Sequence, residues 1–127
     1  MIRGLCLSTA ALVVILAGPA LAQESACMAP MSPAMPDGKT ADRDAVIAAA
    51  AAVKTFVAQS DGYQNCLNAE YEAYVKKVAT DKGKMDPKVN TAREAKIMAN
   101  QTAKENLGKA YTATAAAYRQ AHPPAPK

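Results

Sequence analysis

The sequence has no tryptophan, one histidine, one phenylalanine and three cysteines among its 127 residues. The histidine, His122, stands in a proline-rich stretch near the end of the sequence, without a partner for a Ser–His or Cys–His catalytic arrangement. Neither C-x-x-C nor C-x-x-C-H is present, so thiol redox chemistry and haem attachment are not indicated. The length fits one domain at most. We therefore expect a protein that is not an enzyme and has no cofactor.

Large apolar side chains are also scarce. Residues 23–127 contain 11 Val, Ile, Leu and Phe but 25 Ala. A core lined by alanine buries little apolar area per residue, and chains of this composition often fail to fold alone. Because the net charge is only +4, self-repulsion is not the obstacle. We expect a thin helical core that depends on a covalent staple or on a partner.

Residues 1–22 have the pattern of a removable export signal. A positively charged start precedes an apolar run over 5–16, and the small residues Ala20 and Ala22 suit signal peptidase, which predicts cleavage before Gln23. The alternative is an uncleaved anchor helix, but the run is shorter than the ~20 apolar residues that a bilayer requires. We expect a periplasmic or secreted protein with no stable membrane anchor after cleavage.

The segment 23–40, which we call the leader, is rich in proline. Its prolines recur at every third position, at Pro30, Pro33 and Pro36. This period matches the three residues per turn of polyproline II, so the prolines form one edge of an extended rod. Asp37 and Gly38 then supply a turn, and Thr40 is the predicted N-cap of the first helix.

Cleavage before Gln23 leaves two cysteines, and a disulfide between Cys27 and Cys66 is the default in an oxidising compartment. The rod from Cys27 to Thr40 spans about 40 Å at ~3.1 Å per residue. The helix from Thr40 to Cys66 spans about 39 Å at ~1.5 Å per residue. The matching lengths predict that the leader folds back along the first helix until the sulfur atoms meet. An intermolecular disulfide with a mobile leader is the alternative.

Apolar residues recur at helical spacing over 41–121, which predicts two long helices at about 41–80 and 87–120. In the first, a heptad seam typical of a coiled coil runs through Val46, Val53, Ser60, Leu67 and Tyr74. A second apolar column is predicted at Ala50, Val57, Tyr71 and Val78. The register continues through Gly62, which favours one continuous helix.

The predicted turn between the helices lies around Gly83, which suits the left-handed position after a helix. Asp86 is the predicted N-cap of the second helix and Pro87 its first residue. The proline-rich tail 122–127 cannot continue that helix. The positions that recur at helical spacing in it are Val89, Ile97, Asn100, Ala103/Lys104, Leu107, Ala110/Tyr111, Thr114 and Ala117/Tyr118. The predicted fold is all-α: an antiparallel two-helix hairpin whose leader is stapled to the first helix, with a homodimer as a possible assembly.

Two groups of side chains are candidates for binding. Thioethers of Met28, Met31 and Met35 in the leader are soft ligands that select Cu(I) or Ag(I), although methionine also serves as a flexible apolar filler. We expect no metal site, with these three methionines as the alternative. A formal glycosylation sequon begins at Asn100.

Basic residues gather around the predicted hairpin turn, with three acids among them. The cations are Lys76, Lys77, Lys82, Lys84, Lys88, Arg93 and Lys96, and the acids are Asp81, Asp86 and Glu94. Such an end could meet anionic headgroups or envelope polymers, or it is simply a solvated helix end. Nucleic-acid binding is not indicated, because the cations do not alternate with aromatic residues.

The first half of the mature chain combines several short motifs: Cys27-x-x-Pro-x-x-Pro-x-x-Pro-Asp-Gly, Ala52-Val53-Lys54, Phe56 and Tyr63-Gln64-Asn65-Cys66-Leu67. Together they resemble a group of small exported Gram-negative proteins without assigned activity. The resemblance implies export and the disulfide, and it implies no catalytic residue. From Cys27 to about Tyr74, the proline rod on a helix also resembles the pancreatic-polypeptide arrangement, in architecture only.

The leading functional hypothesis is an exported, non-enzymatic interaction or structural module of the cell envelope. Its helical faces would contact an envelope protein or a second copy of the chain. One alternative is periplasmic binding of Cu(I) or Ag(I) by the leader methionines. The other is a holdase-like periplasmic chaperone, which would need a concave apolar surface for its clients.

Overall fold

A computed structural model describes residues 26–124. They form two long helices, α1 (Arg43–Thr80) and α2 (Pro87–Ala121), which pack antiparallel against each other. The leader is joined to α1 by a Cys27–Cys66 disulfide. The prediction of an all-α hairpin with a leader stapled to its first helix is therefore confirmed. The predicted export signal at 1–22 lies outside the described residues.

The N-cap of α1 lies two residues after the predicted one. Asp42 is the N-cap: its backbone is extended and its carboxylate accepts a hydrogen bond from the Ala45 N–H at 2.7 Å. The prediction of Thr40 as N-cap was wrong, because Thr40 still belongs to the preceding turn. There the Asp37 carbonyl accepts hydrogen bonds from the N–H groups of Thr40 and Ala41, at 3.2 and 2.8 Å.

Helix α1 continues without a break through Gly62, as the register predicted. The seam through Ser60 and Leu67 is buried. The prediction for the second column was wrong at Val57, which is 37% exposed. The buried second column lies on the other side of the seam, at Ala49, Phe56 and Tyr63. The residues on either side of the seam recur with the same seven-residue spacing, so the sequence pattern did not show which of the two columns is buried.

Helix α1 ends in a Schellman motif, in which the Gly83 N–H donates to the Val78 carbonyl at 2.9 Å and the Lys82 N–H to the Ala79 carbonyl at 3.3 Å. The prediction that Gly83 takes the left-handed position was wrong, since Lys82 takes it with φ 51°. Asp86 caps α2 and Pro87 is its first residue, as predicted.

A buried polar contact joins the helices at mid-length. The Asn100 side-chain amide donates to the Ser60 hydroxyl at 3.2 Å, and its carbonyl oxygen accepts from the Gln64 amide at 3.0 Å. Ser60 and Asn100 are both buried. A polar group at one seam position selects the register in which it finds its partner, so this contact aligns α1 with α2. The sequon asparagine is therefore enclosed in the fold.

The leader forms a third layer with a period of three residues. Cys27 is buried and the three prolines are half-buried, whereas Met28, Met31 and Ala34 are exposed. This alternation follows the three edges of a polyproline II rod. The edge that carries Cys27 and the prolines faces the helices.

The C-terminal end of the leader, which we call its lower end, packs against α2. The Thr114 hydroxyl donates to the Pro36 carbonyl at 2.9 Å. Gly38 is buried so closely that a Cβ there would lie 2.0 Å from the Thr114 carbonyl oxygen. Its φ is not positive, so glycine is required for this close approach and not for its conformational freedom. The leader is thus fastened to α1 at one end and to α2 at the other.

Candidate functional site

The disulfide marks the upper end of the leader. The Cys27–Cys66 bond has a Cα–Cα distance of 5.8 Å, and the Ala26 N–H donates to the Glu70 carboxylate at 2.7 Å. A disulfide indicates an oxidising compartment outside the cytoplasm. The Glu70 carboxylate lies within 4.8 Å of both sulfur atoms, but sulfurs bonded to each other offer no thiolate to a metal.

The two helices continue past the disulfide to the hairpin turn. In this part of the described chain a groove of about 640 Å³ lies between them, with Ala26 of the leader in its lining. We call it the tip groove. Its apolar wall is formed by Leu67, Tyr71, Ala73, Tyr74, Val89 and Ala92. The groove is therefore the continuation of the surface on which the leader lies.

Arg93 is held on an aromatic face in the tip groove. Its guanidinium lies 4.4 Å from the centre of the Tyr71 ring. Two amide oxygens accept its hydrogen bonds, that of Asn68 at 3.0 Å and that of Asn90 at 2.8 Å. Its ion pair with Glu94 is long, at 3.9 Å. These contacts fix the orientation of the cation without closely pairing its charge with a carboxylate.

Tyr74 connects the two helices at the upper end of the groove. Its hydroxyl accepts a hydrogen bond from the Asp86 N–H at 2.7 Å, and its ring centroid lies 6.2 Å from that of Tyr71. The two rings belong to α1, and the hydrogen bond places the start of α2 against them. The groove therefore has an aromatic wall opposite the α2 cations.

The charged side chains of the tip groove differ in how many partners they have. It contains four cations and two carboxylates, the cations being Lys77, Lys88, Arg93 and Lys96. Both carboxylates accept backbone hydrogen bonds, Glu70 from the leader and Asp86 from the Lys88 N–H. Lys77 pairs with Asp81 at 2.7 Å. Lys88 and Lys96 have no ion pair within residues 26–124, so the groove presents net positive charge.

The three candidate methionines are separated. Met28 and Met31 are 88% and 91% exposed, so these two side chains do not pack the leader against the helices. They lie on one edge of the rod, about 9 Å apart at the rise of polyproline II. Met35 is half-buried on a different edge. The predicted basic end is divided as well, since Lys76, Lys82 and Lys84 lie outside the groove lining.

The tip groove was missed in the sequence analysis, although a signal for it exists. The same length comparison that places Cys27 beside Cys66 implies that the rod from Cys27 to Thr40 lies along α1 only as far as Cys66. Beyond Cys66, apolar and aromatic residues continue at seam positions, Tyr71 and Tyr74 among them. A seam that continues beyond this rod predicts further apolar surface between the two helices.

Comparisons with protein-family models, curated proteins and solved structures found no match for the chain. Within residues 26–124, neither helix combines the length and the apolarity needed to cross a bilayer. The functional argument therefore starts from the geometry of the tip groove. The resemblance to small exported Gram-negative proteins stays a prediction.

Proposed function

We propose that this chain is an exported, non-enzymatic interaction module of the cell envelope that binds a partner protein in the tip groove. The observation that carries this proposal is the groove between α1 and α2 on the hairpin-turn side of the disulfide, with its aromatic and cationic lining. Its walls include Tyr71, Tyr74 and Arg93, and tyrosine and arginine are residue types enriched at protein interfaces. The compartment is the periplasm or the outside of the cell.

The leader supports this assignment, because it occupies the lower part of the same helix–helix surface. There an extended segment of the chain lies on α1 and α2, with its half-buried proline edge turned inward. The upper part has the same two walls and no such segment among the described residues. A partner segment in the tip groove would extend the same three-layered packing.

Export is supported by two independent features. The pattern at 1–22 predicts a cleaved signal. The Cys27–Cys66 disulfide favours an oxidising compartment. Together they favour the periplasm or secretion over any cytoplasmic role.

Filling the tip groove tests the proposal. Ala92→Trp places an indole in the groove, whereas Ala113→Trp places one on an exposed position of α2 outside it. Immobilised wild-type protein should retain one envelope protein in a stoichiometric and saturable manner. Ala113→Trp should retain it equally and Ala92→Trp should lose it, with unfolding temperatures measured for both variants. Equal retention by all three proteins, or no saturable partner, would rule out this function.

Soft-metal binding is a second candidate. The observation that favours it is the exposure of Met28 and Met31 on one edge of the rod, where both thioethers face solvent. Titration with Cu(I) under a competing chelator should show binding by the wild type and at least about tenfold weaker binding by the Met28→Leu, Met31→Leu, Met35→Leu triple variant. Equal affinities would remove this candidate.

A further inference from the structure

We infer that the chain, before its disulfide has formed, binds one Zn²⁺ through the thiolates of Cys27 and Cys66 and the carboxylate of Glu70. The ion would join the leader to α1 at the place that the disulfide later occupies. This inference goes beyond the proposed function, because a partner in the tip groove neither needs nor supplies the ion. It rests on the convergence of the three donors, on the helix that carries two of them and on the contacts that hold the third nearby.

The three donor groups converge. The sulfur atoms of Cys27 and Cys66 and a carboxylate oxygen of Glu70 all lie within 4.8 Å of one another. Zinc bonds to thiolate sulfur at about 2.3 Å and to carboxylate oxygen at about 2.1 Å, so its tetrahedral ligands lie about 3.6–3.8 Å apart. In the dithiol chain, rotation about the Cα–Cβ bond of each cysteine separates the sulfur atoms. The donors can therefore reach a tetrahedral arrangement through side-chain movement.

Two of the donors share one face of α1. Cys66 and Glu70 are four residues apart, and side chains at this spacing are neighbours on a helix. The same spacing presents the two histidines of the H-E-x-x-H motif to a single zinc ion. Helix α1 is continuous on both sides of this pair. The backbone positions of these two ligands are therefore set before any ion binds.

The third donor, Cys27, is held near α1 by contacts that do not involve sulfur. The Ala26 N–H donates to the Glu70 carboxylate at 2.7 Å. At the lower end of the leader, the Thr114 hydroxyl donates to the Pro36 carbonyl at 2.9 Å. Both contacts can form in the dithiol chain, so they limit how far Cys27 moves from its partners. The hydrogen bond from Ala26 also orients the carboxylate, as outer hydrogen bonds do for metal ligands.

The chemistry of the donors selects zinc. Thiolate, imidazole and carboxylate are the usual protein ligands of Zn²⁺, whereas Ca²⁺ and Mg²⁺ take oxygen ligands. Binding converts two thiols to thiolates and releases two protons, and no electron is transferred. The ion neutralises two of the three negative charges that its ligands then carry. Cu(I) prefers sulfur ligands alone and would gain less from the carboxylate.

Every copy of the chain passes through the dithiol form. Thiols are kept reduced in the cytosol, so the disulfide forms only once the chain reaches an oxidising compartment. There a disulfide-bearing exchange protein accepts the two electrons and the two protons of the thiols. Zinc would compete with that reaction for the same two sulfur atoms. The ion and the disulfide are therefore alternative ways to fasten the leader to α1.

Co²⁺ is a spectroscopic probe for this site. The full mature chain, reduced with a phosphine under argon, is titrated first with Co²⁺ and then with Zn²⁺. We expect one ion per chain, with a thiolate-to-cobalt charge-transfer band and the visible bands of tetrahedral cobalt, which zinc then abolishes. The disulfide-bonded chain should show neither set of bands. Zinc should also raise the urea midpoint of the reduced chain, because the ion binds the folded form more tightly.

A matched pair of variants tests the carboxylate. Glu70→Gln removes the charged ligand but keeps an amide oxygen for the Ala26 N–H, and Glu72→Gln makes the same change at an exposed position of α1 outside the donor group. Zinc affinity is measured by competition with a chromophoric chelator. It should be at least about tenfold weaker for Glu70→Gln and unchanged for Glu72→Gln. The disulfide-bonded forms of both variants should have the helix content of the wild type, which shows that each one folds.

Several results would overturn the inference. They are the absence of the charge-transfer band in the reduced chain, equal zinc affinity of the two glutamate variants, and an ion shared by two chains in sedimentation. Loss of zinc binding in the Met28→Leu, Met31→Leu, Met35→Leu variant would also overturn it, because thioethers would then be ligands. None of these results bears on the envelope partner, whose retention is measured with the disulfide-bonded chain.

Discussion

The two halves of the hairpin are built from the same helices but differ in what lies between them. In the lower half, which we define as the described chain up to Leu67 and from Asn100 onward, the leader covers the helix pair. All the residues that are buried lie in this half. In the tip, residues 68–99, none is buried. In this alanine-rich helix pair, buried side chains occur only where the leader packs on both helices.

The tip is held instead by polar contacts. Arg93 joins the two helices through Asn68 and the Tyr71 ring, and Tyr74 receives the N–H at the start of α2. Such contacts near the surface contribute little stability individually. The shape of the tip therefore depends on polar contacts that are partly exposed to solvent. Regions held in this way open more easily than a buried core, and binding regions are often drawn from them.

Removing the disulfide should have the largest effect on stability, because it releases the leader from the lower half. The bond joins residues 39 apart in sequence, and closing such a loop contributes about 4 kcal/mol in the chain-entropy model. Replacing Cys27 and Cys66 by serine should lower the free energy of unfolding by about 3–4 kcal/mol, measured by urea denaturation. Wild-type protein in a dithiol reductant should behave alike. A loss below about 1 kcal/mol would mean that the leader is held without its staple.

Substituting Gly38 should loosen the other end of the leader. An alanine Cβ would lie 2.0 Å from the Thr114 carbonyl oxygen, and backbone must move to relieve this contact. Gly38→Ala should cost about 1–3 kcal/mol of stability, a range typical of overpacked sites.

Gly62→Ala is the matched control for Gly38→Ala. Gly62 lies within α1, and nothing lies within 4 Å of a Cβ placed there. Because glycine is about 1 kcal/mol less favourable than alanine inside a helix, this variant should be more stable than the wild type by up to that amount. A loss of stability in both variants would show that the contact of Gly38 with α2 is not the cause.

Amide hydrogen exchange should show the difference between the lower half and the tip at each residue. Amides of 71–80 and 88–96 should exchange at least about tenfold faster than those of 56–67 and 100–114, because the tip has no buried side chains to oppose local opening. Protection should rise in the tip when a groove ligand is added. Uniform protection along both helices would contradict the division into two halves.

Lys82→Gly should have the smallest effect and should act on the tip. Lys82 has φ 51°, a conformation that costs a residue with a side chain about 1 kcal/mol and costs glycine almost nothing. The variant should gain about 0.5–1 kcal/mol in denaturation. Lys84→Gly is the control, since its φ is not positive and no gain is expected. Equal gains in both would indicate an effect on the unfolded chain.

Much of the fold was predictable from the spacing of a few residues. The prolines and the heptad seam predicted an extended leader and two helices, and the length comparison brought Cys27 to Cys66. The predictions that were wrong concerned which of two nearby residues takes a cap or turn position. Asp42 rather than Thr40 caps α1, and Lys82 rather than Gly83 takes the left-handed position, since turn geometry decides each case.

The candidate site was harder to predict, because it depends on which faces of α1 and α2 meet beyond the disulfide. Sequence patterns indicated the cations Lys88, Arg93 and Lys96 but not which of them share one groove. That required the rotation of α2 about its axis, which follows from the Ser60–Asn100 contact across the seam. The close approach of Gly38 to Thr114 was equally invisible, since no local pattern pairs residues so distant in sequence.

Both sulfur atoms of the staple belong to residues that precede α2 in the chain. The covalent loop can therefore close before α2 has been synthesised or has crossed a membrane. A chain emerging with its N-terminus first would carry the rod already tethered to α1, holding open the face that awaits α2. Docking of α2 would then be the concluding event of maturation, and any delay between the two would expose Phe56 and Leu67 to quality-control proteases.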